Sequence, residues 1–130
     1  MIAVDTNVVV RLLVGDDPDQ AGRARNLFEQ NAIWIGSTVL LETEWVLRGA
    51  YKFSPNAIHR AFEMLLGLPQ LTVGDQSAVV AALDWYRSGF DFADALHVAA
   101  AAHASSFATF DKALLAAAKK DATTPPIRSL

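Results

Sequence analysis

Four acidic residues stand where their surroundings make a carboxylate an unusual choice. Asp5 directly follows the apolar run IAV, and Asp111 directly follows FATF. Open parallel sheets bind ligands beyond the carboxyl ends of their strands, and both aspartates fall at such ends. Each also precedes a helix, so a plain N-cap role worth about 1 kcal/mol competes with a chemical one. Glu42 lies inside VLLETEWVLR, among Leu40, Leu41, Trp45, Val46 and Leu47. At helical spacing it shares a stripe with Val39, Trp45, Val46 and Gly49. Carboxylates are seldom buried unless paired or metal-bound. Glu44, two positions on, points elsewhere and is expected to pair with Arg48 at i,i+4 on a solvated face. Asp91 and Asp94 lie three apart in DFADALHVAAA. Asp91 reads as a helix cap, and Asp94 only in part as the residue that reaches back to it.

Gathered in one cleft, Asp5, Glu42, Asp94 and Asp111 would repel one another. Two unit charges 4 Å apart cost about 4 kcal/mol at an effective dielectric of 20. Several such pairs amount to a large share of a domain's whole stability, about 5–15 kcal/mol. Protonation or a divalent cation must compensate. Oxygen-only ligands select hard cations, Mg²⁺ or Mn²⁺ before Zn²⁺. Carboxylates holding such an ion with an open face suit phosphodiester hydrolysis, in which the metal activates water and neutralises phosphate charge.

Other chemistries fail on counts. The chain has no Cys, which removes thiolate metal sites, redox pairs and Cys nucleophiles. It has no phosphate-cradling Gly-rich loop and no Gly-x-Ser-x-Gly elbow. His59, His97 and His103 lie on helices without spaced partners and read as structural, and Trp34, Trp45 and Trp85 read as core. A phosphotransfer enzyme with Asp5 as nucleophile would want an acid two residues on, where Asn7 stands. The net charge of −3 disfavours a protein that coats nucleic acid but not an enzyme whose site is made of carboxylates.

The elements that must position these residues alternate. At 130 residues with 52% apolar side chains, one domain spanning 1–130 is expected. IAV, AIWIG, LTV and FATF read as short buried strands, and the tail TTPPIRSL as a last edge strand. Helices are expected after Asp5, from the Gly15–Asp19 cluster to about Asn31, from caps at Ser37 and Thr38 onward, and after Ser54-Pro55. Further helices are expected from Asp75 to about Tyr86, from Asp91 to about His103, and from Asp111 to about Lys120. This alternation predicts an α/β layer structure with a mostly parallel sheet. Leu40, Leu47, Phe62, Leu65 and Leu66 offer more apolar helix surface than one sheet layer covers, which predicts a protein partner. The start MIAVD has no basic region before an apolar run, and no apolar stretch nears membrane-spanning length. A soluble cytoplasmic location is expected.

The start IAVDTNVVVRLL, the helix VLLETEWVLR, the stretch DFADALHVAAA and the segment ATFDKAL resemble, in this order, the four motif regions of PIN-domain ribonucleases. The similarity is greatest to the VapC-type toxins of bacterial toxin–antitoxin pairs and runs from Ile2 to about Leu115. The resemblance implies a three-layer α/β/α sandwich with a mostly parallel central sheet. It implies that Asp5, Glu42, Asp94 and Asp111 form the acidic quartet, with Asp5 and Asp94 as core ligands of Mg²⁺ or Mn²⁺ and Asp91 as an accessory ligand. Thr6, Asn7 and Thr109 would orient ligands or metal-bound waters. The implied reaction is metal-dependent endonucleolytic cleavage of RNA, commonly tRNA or ribosomal RNA. The implied partners are a second copy in a homodimer and a cognate VapB-type antitoxin. Arg11, Arg48, Lys52 and Lys112 flank the motifs and are the candidates for docking RNA. The rival reading is a non-cleaving RNA- or protein-binding module on the same fold.

Overall fold

The computed structural model describes residues 1–130, which form two compact units, Met1–Gly74 and Asp75–Leu130.

In the first unit a parallel sheet forms from β1 (Ile2–Ala3), β2 (Ile33–Ile35) and β3 (Leu71–Val73) with β2 in the centre. The register pairs Ile2 and Ala3 with Ile33 and Trp34, and Ile33, Trp34 and Ile35 with Leu71, Thr72 and Val73. Ile33 and Ile35 are fully buried, whereas Trp34 between them is turned outward, as the period of two in a strand requires. Its indole lies so close to Gly74 that a Cβ there would sit 2.9 Å from the ring, so any larger residue would have to displace the indole.

Four helices belong to this unit: α1 (Thr6–Val14), α2 (Pro18–Gln30), α3 (Ser37–Gly49) and α4 (Pro55–Leu66). Local chemistry starts and stops them. The carboxylate of Asp5 accepts from Val8 N–H, and Gly15 closes α1 with a left-handed φ of 73°. Asp17 and Ser54 cap α2 and α4, each followed by Pro at the first helical position. Helix α3 departs from expectation. Gly36 holds its cap position with no side-chain bond, and Ser37 and Thr38 already lie in the first turn. Val9, Leu40, Leu47, Ile58, Phe62 and Leu65 make the core with the sheet isoleucines. Four of the five apolar residues expected to leave surface for a partner are therefore buried within the chain itself, and Leu66 is half-buried.

The second unit holds α5 (Gln76–Arg87), α6 (Phe92–Ala100), β4 (Phe107–Thr109), α7 (Lys112–Lys120) and β5 (Ile127–Ser129). Strands β4 and β5 pair in parallel, Phe107 to Ile127 and Thr109 to Ser129, so the tail strand forms as expected. Helices α5 and α6 pack on each other through small residues, with Ala78, Ala82, Ala95 and Ala99 all buried. Tyr86 meets Phe92 edge to face at 5.2 Å. Helix α6 ends at Ala100, short of the expected His103. Its last buried residue is Ala99, and Ala102 and His103 are exposed, so further helix would bury nothing. All strand pairings in the chain are parallel and at least one helix separates every pair of consecutive strands, which is the expected α/β class.

Candidate functional site

Asp5 sits exposed at the junction of β1 and α1, where its Oδ1 accepts from Val8 N–H at 3.2 Å. The cap role is therefore real, and it engages one carboxylate oxygen. The next residue, Thr6, is buried, and its hydroxyl donates to Oε1 of Glu42 on α3. That bond ties the end of β1 to the second motif across 36 residues of sequence. Glu42 lies on the open face of α3, while Leu40, Thr43, Glu44 and Leu47 face inward. Glu44 corrects the expectation of a solvated pair. It is only 2% exposed, and Arg48 Nε donates to its Oε2 at 2.8 Å, a bond that offsets the cost of burying the charge. The two glutamates differ because two positions on a helix are about 200° apart, so only one of them can look outward.

A groove of about 460 Å³ opens beside Asp5 between α1 and α2, with Asn7, Arg11, Gln20 and Arg23 on its walls and Leu27 among its apolar residues. Arg11 is firmly held there. Its Nε donates to Gln20 at 2.8 Å, and its Nη1 donates to Asp16 at 3.0 Å and to the Tyr51 hydroxyl at 3.2 Å. Tyr51 in turn donates to the other oxygen of Asp16 at 2.9 Å. The Tyr51 hydroxyl above all, with Arg11, holds the Asp16 carboxyl below its ordinary range against a partial loss of solvent. Loss of solvent pulls on the Arg11 guanidinium too, but Asp16 and Tyr51 together outweigh it and raise it. Lys52 is exposed, with a left-handed φ of 59°.

In the second unit Asp91 caps α6, its Oδ2 accepting from Asp94 N–H at 3.1 Å. Asp111 caps α7, its Oδ1 accepting from Ala113 N–H at 2.8 Å and Leu114 N–H at 3.2 Å. The hydroxyl oxygen of Thr109 accepts from Asp111 N–H at 2.9 Å and so fixes the turn that presents this aspartate. The Asp94 carboxyl is raised above its usual range, first by burial and then by the charges of Asp91 and Asp111, with His97 acting in the opposite sense. The structure thus places Asp94 in the field of both neighbouring acids. Lys112 opens α7 and is exposed.

The histidine and tryptophan expectations divide. His59 is buried and bonds Glu63 one turn along at 2.9 Å, a structural pair. Trp34 and Trp45 are not core residues: 39% and 66% of their surfaces are exposed. Trp45 alternates with Glu42 and Arg48 on α3, and a polar flank on both sides was the available sign that this ring faces outward.

A family model for the PIN domain matches residues 2–120, a span that takes in all four acidic motifs. The chain belongs to the PIN-domain family. PIN domains are generally metal-dependent nucleases and often occur in toxin–antitoxin systems, and membership carries the α/β/α fold class expected from the sequence. No curated protein matches the chain.

PIN domains usually bind divalent metal ions, and the donors present here fit that chemistry. Every acidic motif residue offers carboxylate oxygen, which suits a hard cation, and the crowding of Asp91 and Asp111 around Asp94 is the excess charge that a cation relieves. No three acidic or histidine side chains are arranged to enclose an ion as they stand. No helix of this PIN domain is long and apolar enough to cross a membrane.

Proposed function

We propose that the chain is a metal-dependent endoribonuclease, the toxic component of a VapBC-type toxin–antitoxin pair, and that residues 1–130 act as a single PIN domain. What supports this most is the Thr6–Glu42 bond, which draws the first two acidic motifs of a nuclease family to the end of one strand. Asp5, Glu42, Asp94 and Asp111, with Asp91 as an accessory ligand, would hold Mg²⁺ or Mn²⁺. When bound, such an ion would supply charge neutralisation at the phosphate and would lower the pKa of water enough to make it a nucleophile for hydrolysis without a covalent enzyme intermediate. The protein's own residues set the geometry. Thr6 holds Glu42 in one orientation, Thr109 fixes the turn that carries Asp111, and Asn7 lines the groove beside Asp5. Arg11, Arg48, Lys52 and Lys112 contact backbone phosphates, and local rather than net charge docks the RNA. A tRNA or ribosomal RNA target, a VapB-type antitoxin, a homodimer and a cytoplasmic location complete the reading.

Purified protein incubated with total RNA, with and without EDTA, tests it. Discrete cuts that EDTA abolishes and Asp5→Asn eliminates are expected. Full cleavage by Asp5→Asn would reject the assignment. Titration with Mg²⁺ separates an enzyme from a non-cleaving module, since absence of binding at millimolar metal favours the module.

A further inference from the structure

Arg11 is held more tightly than a surface arginine needs to be. Acceptors from separate segments fix it. Gln20 on α2 takes Nε–H at 2.8 Å, while Asp16, between α1 and α2, and the Tyr51 hydroxyl, just past α3, take Nη1–H at 3.0 and 3.2 Å. The ion pair with Asp16 is partly open to water, its side chains 30% and 44% exposed. Pairs of that kind contribute little stability, and arresting so long a side chain costs rotamer entropy. Stability alone is therefore a weak reason for the arrangement. Tyr51 is itself anchored. Its ring meets Phe53 edge to face at 6.3 Å, in a turn where Lys52 takes a left-handed φ of 59°. Residues other than glycine adopt that conformation at a cost, and such strain gathers at ligand sites.

What this clamp leaves free points to its use. A guanidinium donates from Nε, Nη1 and Nη2, and the bonds to Gln20, Asp16 and Tyr51 engage Nε and Nη1 only. Nη2 keeps its donors. It is not sealed in the interior either, since no buried side-chain nitrogen lacks a partner. Arg11 lines the groove beside Asp5, where the other cation on the walls is Arg23, 77% exposed and 3.5 Å from Asp19. The two guanidiniums outnumber the single carboxylate of that lining. Arginine's planar, always charged fork suits phosphate oxygens. We infer that Tyr51, with Asp16 and Gln20, positions Arg11 so that Nη2 donates to a backbone phosphate oxygen of RNA in this groove. Tyr51 is thus a positioning residue. It acts through a guanidinium whose ordering is complete before RNA arrives, which lowers the cost of binding. The inference rests on the ribonuclease reading for the identity of the polymer, and goes beyond it in giving the Tyr51 hydroxyl a part in binding.

Binding of a fluorescein-labelled oligoribonucleotide, followed by anisotropy in EDTA at several salt concentrations so that nothing is cut, tests the inference. Tyr51→Phe weakens binding about threefold to tenfold, because the guanidinium must then be ordered as RNA binds. The charge stays, so the slope of log Kd against log salt is unchanged. Arg11→Gln weakens binding further and lowers the magnitude of that slope by about one. In the Arg11→Gln background, adding Tyr51→Phe changes nothing more, since the hydroxyl acts through the missing guanidinium. In Mg²⁺, Tyr51→Phe raises KM and leaves kcat unchanged, the pattern of lost uniform binding. The inference falls if Tyr51→Phe binds as tightly as wild type. It falls equally if the loss persists at full size in the Arg11→Gln background, because the ring then acts only by shaping the fold. Failure of wild type to bind the oligoribonucleotide at low salt overturns it as well. RNA left uncut in Mg²⁺ despite hydroxyl-dependent binding rejects the nuclease reading alone, and normal cutting with an unchanged KM in Tyr51→Phe rejects the positioning alone.

Discussion

Residues 1–74 and 75–130 differ in how much of their buried interior is alanine. The first unit packs large side chains, with Phe62, Leu40, Leu47, Ile58 and the sheet isoleucines fully buried. The second also buries large side chains, Phe92, Val79 and Val98 among them, but adds four buried alanines at 78, 82, 95 and 99 on α5 and α6. Their acidic residues differ as well. In the first unit Glu42 receives a hydroxyl hydrogen bond and Asp5 a backbone one. In the second, Asp91 and Asp111 also accept backbone bonds, and Asp94 alone is raised, first by burial and then by the charges of those two acids. A carboxylate with a donor is held in place by the fold, whereas one among like charges waits on a counter-ion. Asp94 and the donor-bound Asp5 therefore call for different disruptions.

The largest expected effect is catalytic. Asp5→Asn and Asp94→Asn each reduce RNA cleavage to background, but their stabilities diverge. Asn caps a helix as well as Asp does, so Asp5→Asn leaves the melting temperature nearly unchanged. Asp94→Asn raises it at neutral pH. The sign follows from linkage: a carboxyl raised on folding contributes stability that is complete below the unfolded value, about 3.9, and lost as pH rises through the folded one. The advantage of Asp94→Asn therefore shrinks below about pH 4, which thermal melts at two pH values check. A loss of stability at pH 7 would dissolve the contrast between Asp5 and Asp94.

Core substitutions sharpen the packing contrast. Phe62→Ala is expected to cost about 3–5 kcal/mol in urea unfolding, because it opens a cavity. At the alanines of the second unit the damaging direction is reversed. Ala95→Leu is expected to cost about 1–3 kcal/mol by forcing α5 and α6 apart.

Thr6→Val keeps the shape of the side chain and removes the donor to Glu42. It is expected to cost about 0.5–1.5 kcal/mol of stability and about 10–100-fold in cleavage rate or metal affinity. The smallest effect belongs to Tyr51→Phe, which takes the hydroxyl from Asp16. Because folding lowers the Asp16 carboxyl, that pair stabilises above the unfolded value of about 3.9 and is lost as pH falls through the folded one. Tyr51→Phe therefore makes the acid-side fall in stability shallower.

Much of this architecture is legible in short stretches of sequence. Ser54-Pro55, Asp17-Pro18, Gly15 and Asp111 mark helix boundaries that the structure keeps, because capping bonds and backbone φ involve groups within a few residues of one another. The acidic motifs, too, could be picked out by position alone. What only the tertiary structure decided is which way each element faces. From the sequence Glu44 belongs on a solvated face, but packing against the core turned Glu44 in and left Glu42 out. The Thr6–Glu42 bond and the field of Asp91 and Asp111 on Asp94 were equally out of reach. Boundaries are set by bonds between near neighbours along the chain, whereas orientation is set by surface removed from water between segments far apart in it.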